Sequence, residues 1–209
     1  MNFFSYIKVF NTPGRDMRLL SRGKKTFIRR LERKDVDEMI GWGLYEEDFL
    51  KDYSFPSLDS EERDIWFKMK NNVFRKCFAV LNENMQLIGY ISLRDMNFIF
   101  KRAEMGIVFS PAYVGRGYGK DAIMAFLEYY FKGMKYKKLM LTVAAYNKRA
   151  YNCYVSCGFK ITGRLYMETN LSKDMAGKLS NGKDETFKIN GDKVWALFYK
   201  MNISTLSTK

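Results

Sequence analysis

Three glycines separated by single residues, Gly115, Gly117 and Gly119, stand between a short apolar run and an amphipathic stripe, and no other stretch restricts the fold as much. Upstream, Met105 to Phe109 reads as a buried strand stopped by Ser110-Pro111. Downstream, Ile123, Phe126, Leu127, Tyr130 and Phe131 recur at i, i+3, i+4, i+7 and i+8, the pattern of a helix packed on a sheet. The order is strand, glycine turn, helix. Glycine reaches backbone angles closed to other residues and leaves its N–H uncovered, so such a turn can aim several donors at one phosphate. The following helix adds its unpaired first amides and the positive end of its dipole.

Two common phosphate loops do not fit. A Walker loop ending at Gly119-Lys120 would need glycine at Val114 and Ser or Thr at Asp121. A dinucleotide fingerprint begun at Gly115 would need glycine at Lys120. Begun at Gly117 it tolerates Ala122, but no acidic residue closes a clear strand at the required distance.

A second motif narrows the choice. Leu139 to Val143 is another apolar strand, and Ala144 to Ala150 leads into a helix ending at Cys157-Gly158-Phe159. Val114-Gly115-Arg116-Gly117-Tyr118-Gly119 resembles the pyrophosphate loop of the GNAT acetyltransferase superfamily, Q/R-x-x-G-x-G/A, with Val114 standing where the pattern has Gln or Arg. Val143 to Phe159 resembles its V-x-x-x-N-x-R-A-x-x-x-Y-x-x-x-G-F segment. Ala103 to Ile107 and Gly163-Arg164-Leu165 look closest to the RimJ/RimL-type branch.

The resemblance implies an α/β (α+β) fold: a single domain with a mixed, mostly antiparallel sheet of six to seven strands, a splayed central pair and helices on both faces. Its extent divides the chain into an N-terminal extension (1–26), an acetyltransferase domain (27–201) and a C-terminal tail (202–209). It further implies transfer of an acetyl group from acetyl-CoA to a primary amine, with acetyl-CoA as cosubstrate and no metal. The acceptor would be a protein N-terminus or a small amine. The alternative is a catalytically weak coenzyme A-binding, nucleic-acid-binding or partner-binding module on the same fold.

On this resemblance, the pantetheine arm pairs with Ile107, Val108 and Phe109, because the next strand splays away. Val114, Gly115, Arg116, Gly117, Tyr118, Gly119 and Lys120 hold the diphosphate. Asn147 bonds the arm, Arg149 or Lys148 lies near the phosphates, and Tyr154, beside the cosubstrate, protonates the departing sulfur. An ammonium must lose a proton before it attacks, and Glu104 is the candidate base, with Asp95 and Glu168 as substitutes.

Composition sets limits. Lys plus Arg number 36 against 23 acids, a net charge of +13, so the surface attracts anions, coenzyme A among them. No Lys/Arg block marks a nucleic-acid tail, and nucleic acid is not expected as the main partner. The sequence contains no histidine, which excludes His-dependent triads and His-ligated metals. Cys77, Cys153 and Cys157 are too few for a four-thiolate zinc site; an odd count fits a reducing compartment. Cys153 and Cys157, four apart on the expected helix, could share a face as a redox or metal pair, though the spacing is not C-x-x-C, and they read first as residues packing on the sheet. The apolar start, Met1 to Phe10, is interrupted by Lys8 and does not read as an export signal. No apolar run is long enough for a membrane span. A cytoplasmic monomer or homodimer is expected.

Elsewhere, Asp35 reads as a helix N-cap completed by Glu38, and Leu44 to Phe55 as a loop or irregular helix. It mixes Tyr45, Phe49, Tyr53 and Phe55 with Glu46, Glu47 and Asp48, a combination that could receive a cationic amine or form a solvated face. A helix is expected over Ser60 to Lys70. Hairpins are expected over Phe78 to Ser92 and over Thr186 to Tyr199, and a loop over Ser172 to Asp184.

Overall fold

The computed structural model describes residues 18–180 and 185–205. The expectations for residues 1–17, 181–184 and 206–209 lie outside them.

Among the described residues, nine strands form one sheet: β1 (Leu19–Arg22), β2 (Phe27–Arg30), β3 (Lys76–Leu81), β4 (Leu87–Asn97), β5 (Arg102–Phe109), β6 (Lys138–Ala144), β7 (Lys160–Thr169), β8 (Phe187–Asn190) and β9 (Lys193–Ser204). Their order is β1-β2-β3-β4-β5-β6-β9-β7, with β8 also on β9. The count exceeds the expected six to seven for identifiable reasons. Leu19–Arg22, placed by the sequence in an extension, pairs antiparallel with β2. β9 runs on through Ser204, inside the expected tail. β7 is an edge strand and largely solvent-facing, so it lacks the apolar alternation that announces a strand.

Every pairing is antiparallel except β5 with β6. That parallel seam is short: Arg102, Ala103 and Glu104 face Lys138, Leu139 and Met140, and then the strands part. β4 stays beside β5 as far as Phe109, and β9 stays beside β6 as far as Ala144. The fork therefore opens between two strands that are each held from behind.

Helices cover both faces. On one, α3 (Tyr118–Glu128) and α4 (Lys148–Ser156) close a core around Ile91, Met105, Ile123, Phe126, Tyr130 and Leu141. The predicted stripe of α3 faces this core and continues through a π-helical turn, Tyr129–Gly133. There the Tyr130 hydroxyl donates to the Lys138 carbonyl at 2.8 Å, tying the helix end to the start of β6. On the other face, α1 (Arg33–Met39) and α2 (Ser60–Lys70) cover a smaller cluster with Val36, Met39, Phe55 and Tyr90.

Two local expectations are corrected. Asp35 does not open α1; it sits three residues into it, fully buried, in a two-pronged ion pair with Arg29 at 2.6 and 2.7 Å, while also accepting from the Glu32 amide at 2.7 Å. The cap position belongs to Glu32. The expected loop after Ser172 contains α5 (Lys173–Ser180), whose one buried residue, Ala176, gives almost no apolar periodicity.

Candidate active site

A cavity of about 440 Å³ occupies the fork. Its size lies within the usual range for small-ligand sites. Ile107, Phe109 and Val143 contribute from the α3/α4 side of the sheet, while Val108 and Thr142 contribute from the α1/α2 side, so the cavity passes between the strands.

The free edge of β5 is set by register. The Ser110 amide donates to the Ile88 carbonyl at 2.9 Å, and alternation along an antiparallel pair then turns the peptide groups of Val108 and Gly106 toward β4 as well. Ile107 and Phe109 point theirs into the fork. Val108 lines the cavity, but with its side chain.

At one end, Gly115 (φ 78°) and Gly117 (φ 84°) hold left-handed backbone angles, and Gly117 starts α3 with no side-chain cap. The first amides of α3 therefore remain available beside Lys120. A Cβ built on either glycine meets nothing within 4 Å, so it is backbone angle that selects glycine there. Gly119 differs: it is helical, and a Cβ would lie 3.6 Å from Cys153 Sγ and 3.8 Å from Phe109 Cε2, at the packing of α3 on α4. A second device braces the cradle. Asp121, in the first turn of α3, accepts from the Lys24 and Lys25 amides at 2.8 and 2.9 Å and from the Thr26 hydroxyl at 2.8 Å. Burial opposes its charge, but these hydrogen bonds outweigh it and hold the carboxyl below its ordinary range.

Two sequence-predicted residues of the loop lie outside the cavity wall. Arg116 packs over the Tyr113 ring, and the Tyr118 hydroxyl donates to Glu83 at 3.0 Å. Val114, Lys120, Asn147, Arg149 and Tyr154 all line it. Asn147 caps α4, its oxygen accepting from the Ala150 amide at 3.1 Å, and it lines the cavity together with Tyr53. Tyr154 is buried against the Phe159 ring, and burial pushes its phenol well above the ordinary value.

Glu104 stands at the last paired position before the fork. Its carboxylate accepts from Arg94 at 2.5 Å and from the Thr142 hydroxyl at 3.2 Å, and Thr142 lines the cavity. Of the substitutes, Glu168 is paired with Lys193 at 3.0 Å, and Asp95 is exposed with φ 51° in the β4 bulge region; neither lines the cavity.

The wall opposite β5 comes from the stretch that mixes aromatic and acidic residues. Residues 44–55 form a 3-10 segment, Asp48–Tyr53, after a turn, and Tyr45, Leu50 and Tyr53 line the cavity. The acids of this stretch are exposed, with Asp48 bonded to Lys51 and Glu47 lying 4.0 Å from Arg149. Among the described residues, no group of three or more acidic or Cys side chains could hold a metal, and no helix is long and apolar enough to cross a membrane.

Comparison with known proteins agrees with this geometry. The spermidine N(1)-acetyltransferase of Vibrio cholerae serotype O1 is 30% identical over 152 residues, 73% of this chain and 82% of that protein. The Escherichia coli K12 spermidine N(1)-acetyltransferase is 34% identical over 80 residues, 38% of this chain and 43% of that protein. Among solved structures, a spermidine N-acetyltransferase chimera from Vibrio cholerae and hSSAT superposes with a TM-score of 0.63 at 26% identity, covering 86% of this chain and 95% of that one. The fold is shared also with the Vibrio cholerae enzyme in complex with CoA and spermine, at a TM-score of 0.64 and 24% identity over 87% of this chain and 96% of that one. Residues 25–160 match the acetyltransferase (GNAT) domain. A strand pair that parts around a cavity, with a left-handed glycine turn and an uncapped helix start at one end and an extended match to acetyltransferases, places the chain in the GNAT family as an acetyl-CoA-dependent N-acetyltransferase.

Proposed function

We propose that the acceptor is a polyamine of the spermidine type, acetylated on a primary amine. The observation that carries this reading is the passage of the cavity through the sheet: a diphosphate cradle on the α3/α4 side connects with Thr142 and, beyond it, Glu104 on the α1/α2 side. The relatedness to spermidine acetyltransferases supports the choice of amine. So does the outer wall, where Glu46, Glu47, Asp48 and Asp52 offer exposed carboxylates near Tyr45 and Tyr53. These local charges matter because a net +13 repels a polycation at long range while it draws in coenzyme A.

The residues then divide the work. The Gly115–Gly117 turn, the first amides of α3 and Lys120 bind the diphosphate. The outward peptide groups of Ile107 and Phe109 hold the pantetheine arm, and the Ile107 N–H faces the thioester oxygen as charge develops there. Glu104, through Thr142 or an intervening water, receives the proton of the attacking ammonium. The amine nitrogen bonds to the thioester carbon, the carbon–sulfur bond breaks, and Tyr154 donates its hydroxyl proton toward the departing sulfur. Asn147 acts as a positioning residue, fixing the start of α4.

The test is thiol release from acetyl-CoA with spermidine, spermine and a panel of peptides bearing free N-termini, with products identified by mass. Saturable release with a polyamine and none with the peptides is expected. Turnover of peptides without polyamines would reverse the assignment of the acceptor.

A further inference from the structure

We infer that Cys153 is a modification site inside the cosubstrate cavity, where its thiolate takes up one coenzyme A unit by exchange with coenzyme A disulfide. This rests on the reading that the cavity binds coenzyme A, since the cradle that grips the diphosphate would dock the disulfide too.

The three cysteines have different surroundings. Cys77 is buried in β3, and burial pushes its thiol up to about 12, which leaves it inert. Cys157 is buried one turn along α4, its sulfur 3.9 Å from the Lys120 carbonyl. Cys153 is partly exposed and lines the cavity. Its Sγ lies 3.6 Å from the Cβ position of Gly119, against the first turn of α3. A thiol at an uncapped helix N-terminus beside a lysine is a thiol in a positive field, the surroundings that favour thiolate. The neighbouring Cys157 thiol and the Lys120 charge lower the Cys153 thiol below its ordinary value, against the effect of burial. Cys157, more deeply buried beside Cys153, moves the other way.

The chemistry balances without further reagents. The Cys153 thiolate attacks one sulfur of the disulfide, the protein–coenzyme S–S bond forms as the reagent's S–S bond breaks, and the second coenzyme A leaves as thiolate and is protonated by water. The attached coenzyme then fills the space that acetyl-CoA requires, and a thiol reductant reverses the block.

The enzyme is incubated with coenzyme A disulfide and, in parallel, with glutathione disulfide, and the adducts are mapped by peptide mass. One coenzyme A on Cys153 is expected, formed at least about tenfold faster than the glutathione adduct because only coenzyme A is docked by its diphosphate. Acetyl-CoA in excess should suppress it, Cys153→Ser should abolish it, and Cys157→Ala should slow it. Modification confined to Cys77 or Cys157, no adduct, or equal rates for the two disulfides overturns the inference. Calorimetry with acetyl-CoA separates the two failures: tight binding that gives no protection rejects the role of Cys153 alone, whereas no binding rejects the cavity assignment.

Discussion

The Tyr45 hydroxyl donates to the Phe109 carbonyl at 2.9 Å, joining the wall that carries the acidic stretch to the open edge of β5. The same tyrosine receives support behind it, its amide donating to the Ser54 hydroxyl at 3.1 Å. Tyr45→Phe keeps the ring and removes the bond, worth about 1 kcal/mol. A roughly fivefold rise in KM for the amine is expected, with a circular dichroism spectrum like the parent's, and steady-state kinetics on the two proteins decide it.

Gly117→Asp places a carboxylate at the mouth of the cradle, and its left-handed backbone angle strains any side chain by about 1 kcal/mol. The fold should survive, since the added Cβ meets no atom within 4 Å. Acetyl-CoA affinity should fall by about 100-fold or more through charge repulsion in a desolvated site. Unchanged affinity by calorimetry would count against the position of the diphosphate.

Glu104→Gln and Tyr154→Phe separate the two proton transfers. Each should lower kcat by about 100-fold while leaving the Kd for acetyl-CoA within about twofold. Because burial raises the Tyr154 phenol, it stays protonated through the neutral and mildly alkaline range. The parent rate should therefore show no loss assignable to Tyr154 below about pH 10. A Tyr154→Phe enzyme with parental kcat removes the residue from the chemistry.

Asp121 links the cradle to acid stability. Its folded value lies below the ordinary 3.8, so the folded state binds fewer protons than the unfolded chain near that pH. The stabilisation is complete above pH 3.8 and is lost as pH falls through the lower folded value. Asp121→Asn should lower Tm at pH 7 and flatten the acid decline measured by thermal melts. Gly23→Ala tests the same contact sterically, because its Cβ would come within 2.2 Å of Asp121 Oδ2, and a fall in Tm is expected there as well.

The Arg29–Asp35 pair is buried on both sides. Asp35→Asn keeps the volume and strands a guanidinium away from water, for a loss of about 3–5 kcal/mol in chemical denaturation. Replacing both residues with apolar ones of similar size should cost less than the single change. The reverse ranking would mean that the charge pair itself stabilises the fold.

The residues around the glycine turn were legible because the sequence period changes there, from a strand run to the helical stripe at Ile123, Phe126 and Tyr130. The fork was legible only through resemblance to a family, since nothing in Leu139 to Val143 announces that pairing with β5 stops at Met140. Other features depended on partners far away in the chain. Asp121 looked like a departure from a phosphate loop, yet it holds amides about a hundred residues earlier. Asp35 had the letters of a cap, and its partner Arg29 is only six residues earlier, but it is the turn from β2 into α1, which spacing does not report, that brings the two together. Gly119 shared the spacing of its two companions without their backbone angle, because spacing does not report φ. β7 and α5 escaped notice for a simpler reason: they bury too little apolar surface to imprint a period.

The seam at Glu104 and Met140 divides the polypeptide in a further sense. Strands β1 to β5 all precede it in the chain and β6 to β9 all follow, so each side of the opening is built from one unbroken length of sequence. Insertions that lengthen either length can therefore reshape one lip of the slot without threading through the other, which leaves the wall at residues 44–55 free to diversify while the glycine turn at the start of α3 keeps its form.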